Sequence, residues 1–285
     1  MKDCFGRTIN YLRVSVTDRC NLRCEYCRPA LEPRMNADER GYEVNGLATR
    51  DASCSFLPSD VLSYEEIAEV VRVASGLGIN KVRLTGGEPL VRCELPVLVA
   101  LLAAIPGIRD LSMTTNGILL APHARALARA GLQRVNVSLD TVDPESFRRL
   151  TGGELRRVLD GIAAAQAACL NPVKLNCVVA HSGDEPDARG VARFARANGL
   201  QVRFIRRMDL RAGTFSVVQG GSGGDCPRCN RLRLSCTGLV RPCLFSDLGF
   251  SVREFGARGA LERAVQAKPS CGKSCSLASV GAIGG

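Results

Sequence analysis

Apolar residues recur along this chain with two alternating periods. In "YLRVSVT" (11–17) apolar and polar positions alternate, the mark of a strand. "SYEEIAEVVRVASGLG" (63–78) changes to the helical period, with Ser63 followed three residues later by Glu66, a capping box, and glycine at the far end. The two periods then take turns. Strands are predicted at 81–87, 110–117, 134–140, 173–179 and 201–208, and helices at 94–105, 122–130, 144–169 and 186–198. The connections are short, which predicts a parallel sheet with crossover helices. About six strands imply an α/β fold, a partial (β/α)6 barrel of the TIM type that is only part closed.

Two stretches interrupt the pattern. Residues 29–60 are polar and carry Pro29, Pro33, Gly41, Gly46 and Pro58, so they read as a loop. Residues 209–225, ending in "GTFSVVQGGSGGD", read as a linker. This divides the chain into a barrel, 1–210, and a small C-terminal extension, 211–285. The most apolar run, 95–108, is too short to cross a bilayer and contains Pro96 and Pro106; a buried helix is the better reading. The N-terminal residues show no apolar core of a secretion signal, and the expected location is the cytoplasm.

Composition narrows the classes. With 46% hydrophobic and 23% charged residues the chain is an ordinary globular protein, not a disordered one. The net charge is +10, and only 5 of 38 cations are lysine. Codon bias accounts for much of such an arginine excess. The functional reading is an anionic partner, because arginine's planar fork suits phosphate. There is no Trp, and 5% aromatic residues leave few stacking platforms, which argues against nucleic acid as that partner.

The 14 cysteines are unevenly placed. In a reducing compartment, clustered cysteines bind metal or do chemistry more often than they form disulfides. Cys4, Cys54, Cys93, Cys169 and Cys177 stand apart and read as ordinary small residues. "TDRCNLRCEYC" (17–27) holds Cys20, Cys24 and Cys27. A structural zinc site is closed by four ligands, and the two histidines, His123 and His181, are distant in sequence. A [4Fe–4S] cubane usually has one cysteine per iron, so three cysteines leave one iron open. In parallel α/β folds the working residues follow the C-terminal strand ends. The first cysteine group, Gly86–Pro89, Thr114–Gly117 and Asp140–Thr141 follow the first four strands and are expected at one mouth.

The Cys-x3-Cys-x2-Cys loop with Tyr26 before its last cysteine resembles the signature of the radical S-adenosylmethionine superfamily. The resemblance implies that Cys20, Cys24 and Cys27 hold a [4Fe–4S] cluster whose open iron is chelated by S-adenosylmethionine. Gly86, Gly87 and Glu88 of "GGEPL" would meet the methionine moiety, and Tyr26, Thr114 and Ser138 would add cofactor contacts. The second group, Cys226-x2-Cys229-x13-Cys243, lies on a hairpin-like segment. With Cys236 as a fourth ligand it reads as a zinc site; with three ligands it reads as a second cluster with an open iron.

"CNRLRL" and "GLVRPCLF" at this second group, with "KVRLTGGEPLVR", "VNVSLDT", "VKLNCVV", "VRFI" and the terminal "IGG", are similar in order to the GTP 3′,8-cyclase family of molybdenum-cofactor biosynthesis. That resemblance implies two [4Fe–4S] clusters, S-adenosylmethionine and GTP. Arg13, Arg83, Lys174, Arg203, Arg231 and Arg233 would hold the triphosphate or reach the purine. Arg13, Arg231, Arg233, Gly284 and Gly285 would stand at the catalytic centre, inside an apolar barrel that excludes water. Taken singly, a cation in an alternating strand more often faces solvent. The resemblance also implies an electron donor, a downstream pyranopterin-forming enzyme and a state that includes homodimers. Four features depart from the family pattern: the short 209–225 segment, Arg206 where the strand usually has Glu, the long 29–57 stretch, and "KPSCGKSC" (268–275) in place of a His-bearing tail.

Overall fold

The computed structural model describes residues 1–27, 60–209 and 211–275. The expected loop before residue 60 and the pair Gly284 and Gly285 lie outside the described residues. Six strands and six helices follow in the expected alternation. They are β1 (Tyr11–Ser15), α1 (Tyr64–Gly76), β2 (Lys81–Thr85), α2 (Leu95–Ala103), β3 (Asp110–Thr115), α3 (Leu120–Arg129), β4 (Arg134–Ser138), α4 (Pro144–Thr151), α5 (Leu155–Ala167), β5 (Lys174–Val179), α6 (Pro186–Ala197) and β6 (Gln201–Arg206). The capping box forms as its spacing demands: Glu66 N–H donates to Ser63 Oγ, and Ser63 N–H to the Glu66 carboxylate.

The six strands are parallel and lie in the order β6-β5-β4-β3-β2-β1. Beyond β1 the sheet continues into β7 (Arg231–Leu234), β8 (Leu239–Arg241) and β9 (Phe250–Ser251), followed by α7 (Val252–Gln266). β7 is parallel to β1, whereas β8 and β9 are antiparallel to their neighbours. β6 and β9 form opposite ends of this sheet, so the barrel is part closed. Alternate strand residues Leu12, Val14, Val82, Leu84, Leu111, Met113, Val135 and Val137 are buried in one core with Ile67, Val71, Leu98, Leu127, Ile162 and Val191 of the helices. The same alternation turns the polar strand residues to the other face. Among the described residues no helix is long and apolar enough to cross a membrane.

Two expectations are corrected. The single helix at 144–169 is two, because Gly152 takes a left-handed conformation (φ 74°) and ends α4. The break leaves α4 carbonyls free for the first cysteine loop: Arg23 N–H donates to Thr151 O at 2.9 Å and Glu25 N–H to Leu150 O at 3.2 Å. The linker at 209–225 is instead tied to the barrel. Phe204 and Gln219 exchange backbone hydrogen bonds at 3.1 Å, and Asp209 pairs with Thr214.

Arg92 locks the barrel's upper rim. It is buried, donates to Val16 O and Leu62 O at 2.8 Å each, and lies 4.2 Å above the Tyr64 ring. Arg92→Met leaves two buried carbonyls without these donors. It is expected to lower unfolding free energy by on the order of 2 kcal/mol or more in anaerobic urea titration. An unchanged midpoint would show that the carbonyls find other partners.

Candidate active site

The first cysteine loop leaves the C-terminal end of β1. Cys24 is in polar contact with Cys27 and close to Cys20; that contact, burial and the neighbouring sulfurs push its thiol well above the usual range. A thiol with two such neighbours resists ionising, and a bound cation would remove that penalty, since a coordinating thiol is deprotonated. N–H groups already face one sulfur: Leu22 N at 3.4 Å and Asn116 Nδ2 at 3.9 Å from Cys20 Sγ. Such donors tune iron–sulfur clusters. Three soft donors, one of them already faced by N–H groups, fit a cubane with one open iron.

The glycine motif serves this loop directly. Gly87 N–H donates to Thr17 O at 2.8 Å and Glu88 N–H to Arg19 O at 2.7 Å. A Cβ on Gly87 would stand 2.2 Å from Arg19 O, and one on Gly86 2.5 Å from Thr17 O. The close backbone approach that glycine permits here is to the chain entering Cys20. Glu88 is fully buried and accepts from Leu90 N (3.1 Å), Thr115 Oγ1 (2.7 Å) and Asn116 N (2.6 Å). Burial, against these three donors, pushes its carboxyl up to about 7. Glu88 therefore joins the ends of β2 and β3 beneath the mouth. Tyr26 donates to Asp140 Oδ2 at 2.5 Å, and Asp140 Oδ1 accepts from Val178 N at 2.7 Å, which fixes the last turn of the cysteine loop to β4 and β5. Burial raises both groups, Tyr26 further through the Asp140 charge. Thr114 and Ser138 are half-buried at the register positions of Asn136 and Asn176.

Parallel pairing gathers the predicted cations. Arg13 is in register with Arg83 on one side and Arg233 on the other, Tyr11 with Arg231, and Asn176 with Arg203. Lys174 is in register with Asn136. All six cations thus share the polar face. Burial, then neighbouring cations, holds Arg13 well below the usual guanidinium range and pushes Arg233 down to about 10. Arg83, Lys174 and Arg203 are lowered for the same first reason, burial. The barrel lining is therefore polar and cationic, not apolar as expected, because the apolar half of each strand is spent on the helices.

Three residues of this face escaped the sequence reading. Tyr11 is 6% exposed, and its hydroxyl, with no hydrogen-bond partner among the described residues, sits among cations. Burial raises this phenol, but Arg83 and Arg13 outweigh it and the net shift is downward. Asn136, with its amide oriented to satisfy its partners, accepts from Arg83 Nη1 at 2.9 Å and Nε at 3.2 Å. Asp110 is neutralised by Lys81 at 2.8 Å and Arg134 at 2.6 Å. Alternation within the strands was the available signal for all three.

The second cysteine group lies at the other end of the same strands. Cys226 and Cys229 precede β7, and Cys243 follows β8. Five residues of β1 separate the two ends by roughly 15 Å at ~3.3 Å per residue. Lys268, 3% exposed, donates to Arg231 O (2.7 Å) and Pro242 O (2.8 Å) and stands beside Cys229 and Cys243. Burial raises Cys229, but Lys268 and Arg231 outweigh it and hold the thiol down at about 7, ready to ligate. Cys236 is elsewhere, beside Asp18, Arg92 and Ser15 near the first loop, and burial pushes it up to about 11. It does not complete a four-thiol site with Cys226 and Cys229. Among the described residues no three such side chains converge on a point suited to one metal ion, so each cluster assignment rests on thiol number, spacing and surroundings.

Two measurements probe this geometry. Native Glu88 keeps its proton to about pH 7, whereas an unperturbed carboxyl loses it near 4.5. The folded state binds the extra proton between these values, so stability falls as pH rises across that window. Glu88→Gln should flatten that slope and cost about 1–3 kcal/mol at higher pH, where an amide NH2 would oppose one of the three donors. An unaltered slope in urea unfolding would assign the titration elsewhere. Lys268→Met removes a buried cation beside Cys229, so alkylation of the apoprotein thiol near neutral pH should slow several-fold, roughly the loss of thiolate expected when its cation leaves. Equal rates would show that Lys268 acts only through its carbonyl contacts.

Comparison with known proteins agrees with this geometry. Residues 14–195 match the radical SAM superfamily. The chain is 40% identical to the GTP 3′,8-cyclase of Geobacter sulfurreducens over 89% of its length and 86% of the relative's. It is 39% identical to that of Moorella thermoacetica over 95% and 94%. Among solved structures, native anSMEcpe with bound AdoMet superimposes with a TM-score of 0.59 over 91% of this chain and 81% of that one, at 13% identity. Streptococcus suis SuiB bound to S-adenosylmethionine gives 0.53 over 71% and 40%, at 16% identity, so these two likenesses bear on the fold alone. The barrel, the three-thiol loop and the near full-length relatives converge: the chain belongs to the radical SAM superfamily and, within it, to the GTP 3′,8-cyclase family.

Proposed function

We propose that this protein converts GTP to (8S)-3′,8-cyclo-7,8-dihydroguanosine 5′-triphosphate on the path to molybdopterin. The observation that carries the reading is the row of six cations, Arg13, Arg83, Lys174, Arg203, Arg231 and Arg233, on one face between two three-thiol groups. Asp110, the carboxylate on that face, is already neutralised. Cations buried side by side repel one another, and a bound triphosphate relieves both the repulsion and their desolvation.

Cys20, Cys24 and Cys27 would hold the cluster that binds S-adenosylmethionine, and Cys226, Cys229 and Cys243 a second one. When bound, the first cluster and S-adenosylmethionine supply a 5′-deoxyadenosyl radical able to take the 3′-hydrogen of the ribose. The chain's own residues orient the reactants. Arginine forks fix the triphosphate, so the sugar is presented toward the C-terminal strand ends and the purine toward the opposite end. Tyr26 and Asp140 hold the loop beside the mouth, and Gly86, Gly87 and Glu88 set its entry. Residues 1–210 serve as the radical-generating barrel and 211–285 as the second-cluster and purine-facing region. Gly284 and Gly285 would complete the centre from the tail. A cytoplasmic location, an electron donor, a downstream pyranopterin-forming enzyme and a homodimer belong to the same reading.

The test is anaerobic incubation of reconstituted protein with a strong reductant, S-adenosylmethionine and GTP. The expected result is 5′-deoxyadenosine together with a cyclised purine nucleotide. Arg13→Ala should lose at least about 100-fold in cyclised product, the effect expected when a buried charge-assisted contact to substrate is removed. Formation of 5′-deoxyadenosine without cyclised product in the parent would refute GTP as the substrate.

A further inference from the structure

The tail segment "KPSCGKSC" stands against the second thiol group and is built into it at several points. Arg7, its side chain 7% exposed and paired with Asp3 at 2.6 Å, reaches three carbonyls: Cys226 O (2.8 Å), Ser270 O (3.2 Å) and Pro269 O (2.6 Å). One guanidinium therefore binds the start of the second cysteine group and the residues just before Cys271. Lys268 joins the same segment to Arg231 and Pro242, as described above. Gly272 lies on Phe245: a Cβ there would be 2.9 Å from the Phe245 Cβ, two residues beyond Cys243. Between these anchors the Cys271 thiol is in polar contact with the Cys226 thiol, and the Gly272 N–H faces the same sulfur. Cys229 lies beside the pair. Cys275 turns the other way and donates to Asp247 Oδ1 at 3.2 Å and Ser246 O at 3.6 Å.

We propose that Cys271 is a fourth thiolate ligand of the cluster held by Cys226, Cys229 and Cys243, closing its open iron until substrate displaces it. The inference rests on the second cluster of the proposed function. The donor set suits this role, since a cubane takes one thiolate per iron and the tail brings a fourth sulfur to a group that sequence spacing left at three. On binding, the Cys271 thiol would give its proton to solvent and its sulfur form one Fe–S bond; on displacement that bond would break, the thiolate would take a proton back from solvent, and a lone pair of the purine would take its place on the iron, with no change of oxidation state. Cys271 is exposed, whereas Cys275 is buried, so the fourth ligand is the one free to leave when an anionic purine nucleotide arrives. Guanine access to this iron then depends on release of Cys271.

The experiment uses the full chain with the first cluster removed by Cys20→Ser, Cys24→Ser and Cys27→Ser, so that the C-terminal cluster is observed alone. Reconstituted parent, Cys271→Ser and Cys275→Ser are each treated with mild ferricyanide, and the [3Fe–4S]+ signal is measured by electron paramagnetic resonance beside iron and sulfide content. An iron with a non-protein ligand is lost on oxidation more readily than one held by thiolate. The expected result is a small signal in the parent and in Cys275→Ser, and a several-fold larger one, or loss of the cluster, in Cys271→Ser. Adding GTP to the parent should raise its signal toward that of Cys271→Ser. Equal signals in the parent and Cys271→Ser would overturn the ligand assignment while leaving the cluster intact. A parent that assembles no iron would overturn the second cluster itself and this assignment with it.

Discussion

The parallel pairing of β7 with β1 is the contact on which the site depends. It aligns Tyr11 with Arg231 and Arg13 with Arg233, so two arginines from residue 231 onward enter a face otherwise built by the first 206 residues. Because the strands run in the same direction, the residues before β7 emerge at the N-terminal end of β1. Cys226 and Cys229 are therefore placed opposite Cys20, Cys24 and Cys27, with the cations between. An antiparallel β7 would invert this and bring both thiol groups to one mouth. A one-residue slip would turn Arg231 and Arg233 into the helix layer, since side chains alternate faces.

Crowding six cations on one face, with Arg83 and Arg233 buried and the other four half-buried, is costly, and the fold supports that cost from the other face. Every inward cation on β1 and β2 has an apolar neighbour in the strand, such as Leu12, Val14, Val82 or Leu84, in the helix-packed core. The strands are held by that layer, so the inner face need not be stable on its own terms. Asn136 and Ser112 supply acceptors to Arg83, and Asp110 absorbs Lys81 and Arg134. What remains is a face whose charge an anion would satisfy. This pattern of strained electrostatics carried by a well-packed scaffold is common at functional sites.

The loop carrying Cys20 shows the same economy of parts. It has little structure of its own, and each end is held by another element: Gly87 and Glu88 N–H groups at its entry, Arg92 on Val16, the end of α4 on Arg23 and Glu25, and Asp140 on Tyr26. The "GGEPLVR" run contributes three times, through the Gly87 and Glu88 N–H groups and through Arg92, which explains why glycines and an arginine stand so close in one motif. The Glu88 carboxylate works beneath the surface, joining two strand ends through hydrogen bonds from Thr115 and Asn116 while Leu90 N holds it locally.

Much of this was legible in the chain. Alternation between two periods marks six strands and their helices, the Ser63–Glu66 spacing marks α1, and three close cysteines without a fourth mark an open iron. These signals are local, set by side-chain periodicity and by chemistry within about a turn of the chain. The break after α4 was readable only weakly, as a Gly-Gly pair inside an apolar period that continues through it. Other features depend on contacts between residues far apart in sequence. Nothing near Arg13 shows that it will be buried beside Arg233, because which face of β1 is wet depends on where the helices pack. Nothing near Cys236 shows that it leaves the second thiol group for the first loop, and nothing in "KPSCGKSC" shows that Arg7 will hold it against Cys226. Side-chain periodicity and thiol spacing along the chain dictate the alternating elements and the kind of metal chemistry. The tertiary structure alone decided which end of the barrel each thiol group occupies and which cations lie between them, because strand direction and register are set by pairing across the sheet.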